Sequence, residues 1–113
     1  MIALFEKCSS TSEDRKAPVK PIELVLSSER AFQIIFDDAS KRQLYGLKTK
    51  KEFGEIFYWY IGFEVSITVL RNTQGNKTIL HIMVYGEKKR GRTRKMLKRL
   101  IEYYRELFKD VLA

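Results

Sequence analysis

The chain has 113 residues, 44% of them hydrophobic and 12% aromatic, which suits one domain with a modest core. Its single cysteine, Cys8, excludes an internal disulfide and fits a reducing intracellular setting; its longest apolar run, residues 56–63, is too short to span a bilayer, and residues 1–5 lack the basic start and long apolar stretch of a signal peptide. The formal net charge is +8, and residues 88–99 alone hold eight basic side chains and no acidic one, so the rest of the chain is formally neutral. Excess charge focused in this way implies a polyanion partner, where a diffuse excess would serve solubility.

In chain order, residues 1–5 form a short apolar piece suited to an edge strand. Residues 8–21 are polar, contain both prolines and read as a loop or arm. Ile22, Leu24 and Leu26 alternate with Glu23 and Val25, as in a strand. Residues 31–39 admit two readings. Phe32, Ile34 and Phe36 alternate as in a strand, whereas Phe32, Ile35, Phe36 and Ala39 have helical spacing behind Ser28 as an N-cap. The β-branched and aromatic content favours the strand. Residues 41–55 are a basic, turn-rich connection with Gly46 and Gly54, in which Thr49 and Glu52 could form a capping box.

A long strand is expected over residues 55–71. Phe57, Trp59, Ile61, Phe63, Val65, Ile67 and Val69 would share its core face, with Ile56, Tyr58, Tyr60, Glu64, Ser66 and Thr68 opposite, and Gly62 would mark a bulge or bend. Residues 71–77 form a turn, and residues 77–87 return as the second arm of a long antiparallel hairpin. Residues 93–112 are a helix, with Met96, Leu97, Leu100, Ile101, Tyr104, Leu107, Phe108 and Val111 as its buried stripe. The fold class is therefore α+β: an antiparallel sheet laid on a C-terminal amphipathic helix, in one domain spanning 1–113.

Metal, nucleophile and cofactor chemistry is poorly supplied. His81 sits mid-strand, where a hydrogen-bonded, partly buried histidine is the plain expectation. Cys8 has no evident activator, and the six glycines match no phosphate-loop or dinucleotide fingerprint. Asp37-Asp38 suits a turn. Glu87-Lys88-Lys89 has the Glu-x-Lys form of metal-dependent nucleases, but such sites need an upstream acid, and only Glu64 lies on the partner strand. No cofactor or metal is expected.

The basic window points to binding. Lys88, Lys89, Arg90, Arg92, Arg94, Lys95, Lys98 and Arg99 repel one another and crowd the N-terminus of a helix, which disfavours cations. A bound phosphate would relieve both strains, and Gly91 would let the backbone approach it. The alternative is an ordinary solvated helix face. Lys41, Arg42, Lys48, Lys50 and Lys51 would widen the footprint if they share its face. Tyr58 and Tyr60, placed opposite the core, suit either base stacking or burial in a homodimer. Anionic membrane is disfavoured as a partner, because the apolar face of the helix is needed to cover the sheet.

Two resemblances bear on the last fifty residues. "HIMVYGEKKRGRTRK" resembles the end of RelE-type messenger-cleaving toxins, where a hairpin runs into a basic segment. That resemblance implies RNA cleavage with Arg and Lys stabilising phosphorane-like charge and Tyr85 or Tyr58 nearby. "FEVSITV" followed by "KKRGRTRK" is similar to the double-stranded-RNA-binding domain, which implies an initial helix and three strands before a basic helix. Each covers under half of the chain, and no family is assigned from either. The resulting expectation is a cytoplasmic, non-enzymatic nucleic-acid-binding protein that contacts phosphates through residues 88–99, with Lys48, Lys50 and Lys51 as outliers. Charge alone carries no base code, so strong sequence specificity is not expected. The alternatives are an RNA-cleaving enzyme and a module docking on an acidic protein surface.

Overall fold

A computed structural model describes residues 8–12, 19–71, 77–86 and 92–113. The element order is β1 (Cys8–Ser10), β2 (Ile22–Leu24), α1 (Ser28–Lys41), β3 (Tyr45–Lys50), β4 (Glu55–Tyr60), β5 (Phe63–Arg71), β6 (Thr78–Tyr85) and α2 (Thr93–Leu107). The six strands form one antiparallel sheet in the order β1-β6-β5-β4-β3, with β2 also paired to β6. Both helices lie on one face, giving the two-layer α+β arrangement expected from the sequence. The anticipated edge strand over residues 1–5 lies outside the described residues, and the described N-terminal edge strand is β1, inside the anticipated polar arm.

Residues 31–39 are helical, which corrects the strand reading. The Ser27 hydroxyl, rather than that of Ser28, caps the helix by accepting from the Arg30 amide at 3.2 Å. Ala31, Ile35 and Ala39 form the fully buried stripe, one helical turn apart. Phe32, Ile34 and Phe36 flank that stripe, so their period of two arises from straddling it.

The long strand over 55–71 is two strands. Ile61 and Gly62 both have positive φ, 50° and 80°, and make a two-residue hairpin of the type I′ form. A two-residue turn pairs residues of opposite parity on β4 and β5, as in Phe57–Ser66, Tyr58–Val65 and Trp59–Glu64. The unbroken run of alternation therefore changes face at the turn. Ile56 and Tyr58 join Phe63, Val65, Ile67 and Val69 in the core, while Phe57 and Trp59 look outward. Tyr58 is only 1% exposed, so the expected placement of Tyr58 and Tyr60 opposite the core is reversed. A β-branched residue in the left-handed region costs about 1–2 kcal/mol, so Ile61 is a strained choice for this turn.

The connection over 41–55 contains β3, an edge strand. Tyr45 pairs with Trp59 and Lys48 with Phe57, so a bulge at residues 46–47 holds one extra residue. The bulge puts Tyr45 and Lys48 on the same outer face while Leu47 packs toward the core. The Thr49–Glu52 capping box does not form; residues Lys51–Phe53 make a single 3-10 turn without a side-chain cap. The long hairpin is β5 with β6, in register from Glu64–Tyr85 to Arg71–Thr78. Helix α2 ends at Leu107 and passes through a 3-10 turn, Lys109–Val111, after which Leu112 pairs with Leu24 beside β2. The sequence order α1, four strands, α2 carries one strand more than the double-stranded-RNA-binding resemblance implies.

A polar cluster joins the two helices to the sheet. The hydroxyls of Tyr58 on β4 and Tyr104 on α2 share a buried hydrogen bond of 2.8 Å. Next to them, Tyr103 donates to both carboxylate oxygens of Asp38 on α1, at 2.9 and 3.0 Å. Arg42 donates to the same carboxylate at 3.0 Å and lies 4.2 Å over the Tyr103 ring. Asp38 is thus a helix–helix tie and not a turn residue. Burial pushes the Tyr58, Tyr103 and Tyr104 phenols above the usual tyrosine range. Above about pH 10 the unfolded phenols ionise while the folded ones keep their protons, so the folded state binds more protons and loses stability as pH rises. Urea midpoints should be flat in this respect below pH 9. Above pH 10 they should fall by the equivalent of about 1.4 kcal/mol per pH unit for each deeply buried phenol.

Candidate nucleic-acid interface

Helix α2 is set in place at its first residue. Thr93 is buried, and its hydroxyl meets that of Ser9 on β1 at 2.8 Å. Met96, Leu97, Leu100 and Tyr104 then bury one side of the helix. That stripe forces the intervening basic residues outward: Arg92, Lys95, Lys98 and Arg99 are exposed, and Arg94 is half-buried. The N-cap position is Arg92, which offers no acceptor to the first-turn amides, and the first turn holds no acidic residue. The N-terminus of α2 therefore adds the positive end of the backbone dipole to a positive side-chain surface.

Arg92, Lys95 and Arg99 recur at i, i+3 and i+7 and line one wall of a groove of about 390 Å³. Ile61 and Phe63, from the β4–β5 turn, form the other wall, with Met96 at the base. Among the described residues, Arg92, Lys95, Lys98 and Arg99 make no ion pair, whereas at the far end of the helix Lys109 meets Glu106 at 3.3 Å. Two grooves of similar volume, about 410 and 400 Å³, lie at the opposite end of the sheet and share Glu29. Among the described residues, the α2 groove carries three cations and no acid.

The structure does not gather all the residues expected in the site. Lys88, Lys89 and Arg90 lie outside the described residues, as does Glu87 with its Glu-x-Lys pattern. Lys48 and Lys50 project from the outer face of the sheet, opposite to the helices. Lys51 lines one of the Glu29 grooves, roughly 20 Å from the α2 groove along the length of β5. Arg42 is held in the Asp38–Tyr103 cluster and is no part of an open surface. Two apolar members of the groove, Ile61 and Phe63, carried no signal in the sequence, because their role depends on the unrecognised turn.

Tyr58, one of two tyrosines considered for RNA cleavage, is sealed in the core against Tyr104. Tyr85 is half-buried in the outer row beside Glu64 and Cys8. The Nδ1 of His81 lies 3.2 Å from the Thr11 hydroxyl, the expected hydrogen-bonded histidine. Among the described residues, no group of three His, Cys, Asp or Glu side chains could hold a metal ion. No described helix is long and apolar enough to cross a membrane. In comparisons with known proteins, no family model, no curated protein and no solved structure matches the chain.

Proposed function

We propose that the protein binds nucleic acid, holding backbone phosphates on the N-terminal half of α2 with Arg92, Lys95, Arg99 and their neighbours in residues 88–99. The observation that carries this reading is the groove in which three cations on consecutive turns, with no ion pair and no acid beside them among the described residues, face an apolar wall. Its rigidity supports it as well: the groove stands on a helix pinned by the Thr93–Ser9 contact and by a buried apolar stripe. A flexible basic tail would lose more entropy on binding. Phosphate contacts position a ligand without reading its bases, so affinity should depend weakly on sequence.

The test is a salt series. A labelled twelve-nucleotide strand, titrated with protein and followed by fluorescence anisotropy, reports affinity between 50 and 300 mM salt. With about six phosphates engaged, log affinity should fall against log salt with a slope of about −4 to −5. An affinity independent of salt would point to a partner held by other forces.

A further inference from the structure

We propose that the open face of the sheet stacks the bases of a single strand whose phosphates lie in the α2 groove; this rests on the phosphate reading above. No described helix covers that face, and its aromatic side chains are concentrated on β3 and β4. Tyr45 and Trp59 are directly opposite each other, 79% and 43% exposed, and Phe57 lies in the next row. The indole of Trp59 rests against Gly46, where a Cβ would come within 2.8 Å of the ring, so the glycine lets the indole lie close against the strand. Lys48 stands beside Phe57, and the Lys50 ammonium lies 5.9 Å from the Phe57 ring. Aromatic planes with cations beside them are the surface that unpaired bases and their phosphates recognise.

The two surfaces meet at the β4–β5 turn. Ile61 and Phe63 wall the basic groove, and Trp59 precedes Ile61 by two residues on the same hairpin. A strand leaving the groove would pass over Ile61 and arrive at Trp59 and Tyr45. Ile61 is 56% exposed and holds a left-handed backbone that glycine or asparagine would adopt with less strain. An exposed apolar residue kept at a strained turn suits the rim of a binding path. A second copy of the chain fits this face less well. On this face Glu64, Ser66 and Thr68 of β5 form a polar row that separates Tyr45 and Trp59 from Met83 and Tyr85 on β6, so among the described residues the apolar surface is broken where a dimer core would be continuous. A duplex offers no free base faces, so the platform would select a single strand.

Trp59 is the chain's one tryptophan, so its emission reads this platform directly. The experiment titrates the full chain with a twelve-nucleotide thymidine strand and with a twelve-base-pair duplex. Each titration follows tryptophan emission together with the anisotropy of a labelled oligonucleotide. The single strand should quench Trp59 strongly, and the duplex should leave it nearly unchanged. Tyr45→Ala, at an exposed position that costs the fold little, should weaken single-strand binding about ten-fold while leaving the salt slope and duplex affinity unaltered. Binding by anisotropy with unchanged Trp59 emission and a neutral Tyr45→Ala would overturn the platform and leave the phosphate reading standing. Absence of binding by either oligonucleotide at low salt would overturn the phosphate reading and the platform with it. Trp59 emission that tracks protein concentration, with sedimentation as a dimer, would assign the face to a second copy and overturn the proposal.

Discussion

Replacing Arg92, Lys95 and Arg99 together by alanine should lower nucleic-acid affinity about a hundred-fold at 0.1 M salt and flatten the salt slope by about 2–3 units. Each lost phosphate contact removes roughly 0.7–0.9 of slope, because one condensed counterion fewer is released. The fold should be untouched. The three side chains are exposed, make no ion pair among the described residues, and crowd the positive end of the helix dipole. Removing charge there leaves stability equal or slightly raised. Lys109→Ala is the matched control: it removes a cation from the far end of the helix, where Glu106 already neutralises it. It should leave affinity and slope unaltered. Equal effects of the triple variant and the control would mean that net charge, and not the groove, holds the ligand.

The largest stability effect is expected at Tyr104, which is fully buried and touches both the sheet and α1's polar cluster. Tyr104→Ala should cost about 4 kcal/mol, the loss of a large buried ring plus the cavity it leaves. That is a large share of the stability of a domain this size. Tyr104→Phe isolates the hydroxyl. It strands the buried Tyr58 O–H without its 2.8 Å partner and should cost about 1–2 kcal/mol. The double variant Tyr58→Phe/Tyr104→Phe removes both polar groups and should be less destabilised than the two single costs summed, since neither hydroxyl is then left buried without the other. It should also blunt the alkaline loss of stability, to which both of these phenols contribute along with Tyr103. Urea denaturation of the unmodified chain, the two single Phe variants and the double variant closes the cycle; strict additivity would show that the two hydroxyls do not depend on each other.

The parts of the fold that were legible in the sequence are those whose hydrophobic period is carried by one element alone. Helix α2 shows its stripe from Met96 to Tyr104 because Met96, Leu97, Leu100 and Tyr104 are all buried on one side of the helix. The β5–β6 hairpin shows through Val65, Ile67 and Val69 against Leu80, Ile82 and Val84. The β4–β5 turn was hidden because Ile61 occupies a position where asparagine or glycine would announce a reversal, and odd-numbered apolar residues continue on both sides of it. Helix α1 was hidden because Phe32, Ile34 and Phe36 straddle its buried stripe and mimic a strand. Strand β3 carries almost no apolar period, since its bulge breaks the alternation and most of its side chains are exposed.

The same physics divides the candidate site. Arg92, Lys95 and Arg99 could be read from the sequence, because helical spacing alone puts them on one face. Whether Lys48, Lys50 and Lys51 join them depends on the register and bulge of β3, which no local pattern encodes. Ile61 and Phe63 became part of the site only through the turn. The aromatic platform moved for a related reason: reversal of the chain at residues 61–62 exchanges Tyr58 and Tyr60 for Phe57 and Trp59 on the open face.

The central claim is a location, the N-terminal half of α2, and a nuclear magnetic resonance titration of the isotope-labelled chain with a twelve-nucleotide strand tests it most directly. The largest amide shifts should fall at residues 92–99 and at Ile61–Phe63 across the groove, and should recede as salt is raised. Shifts confined to the Glu29 grooves at the other end of the sheet, with residues 92–99 unmoved, would contradict it.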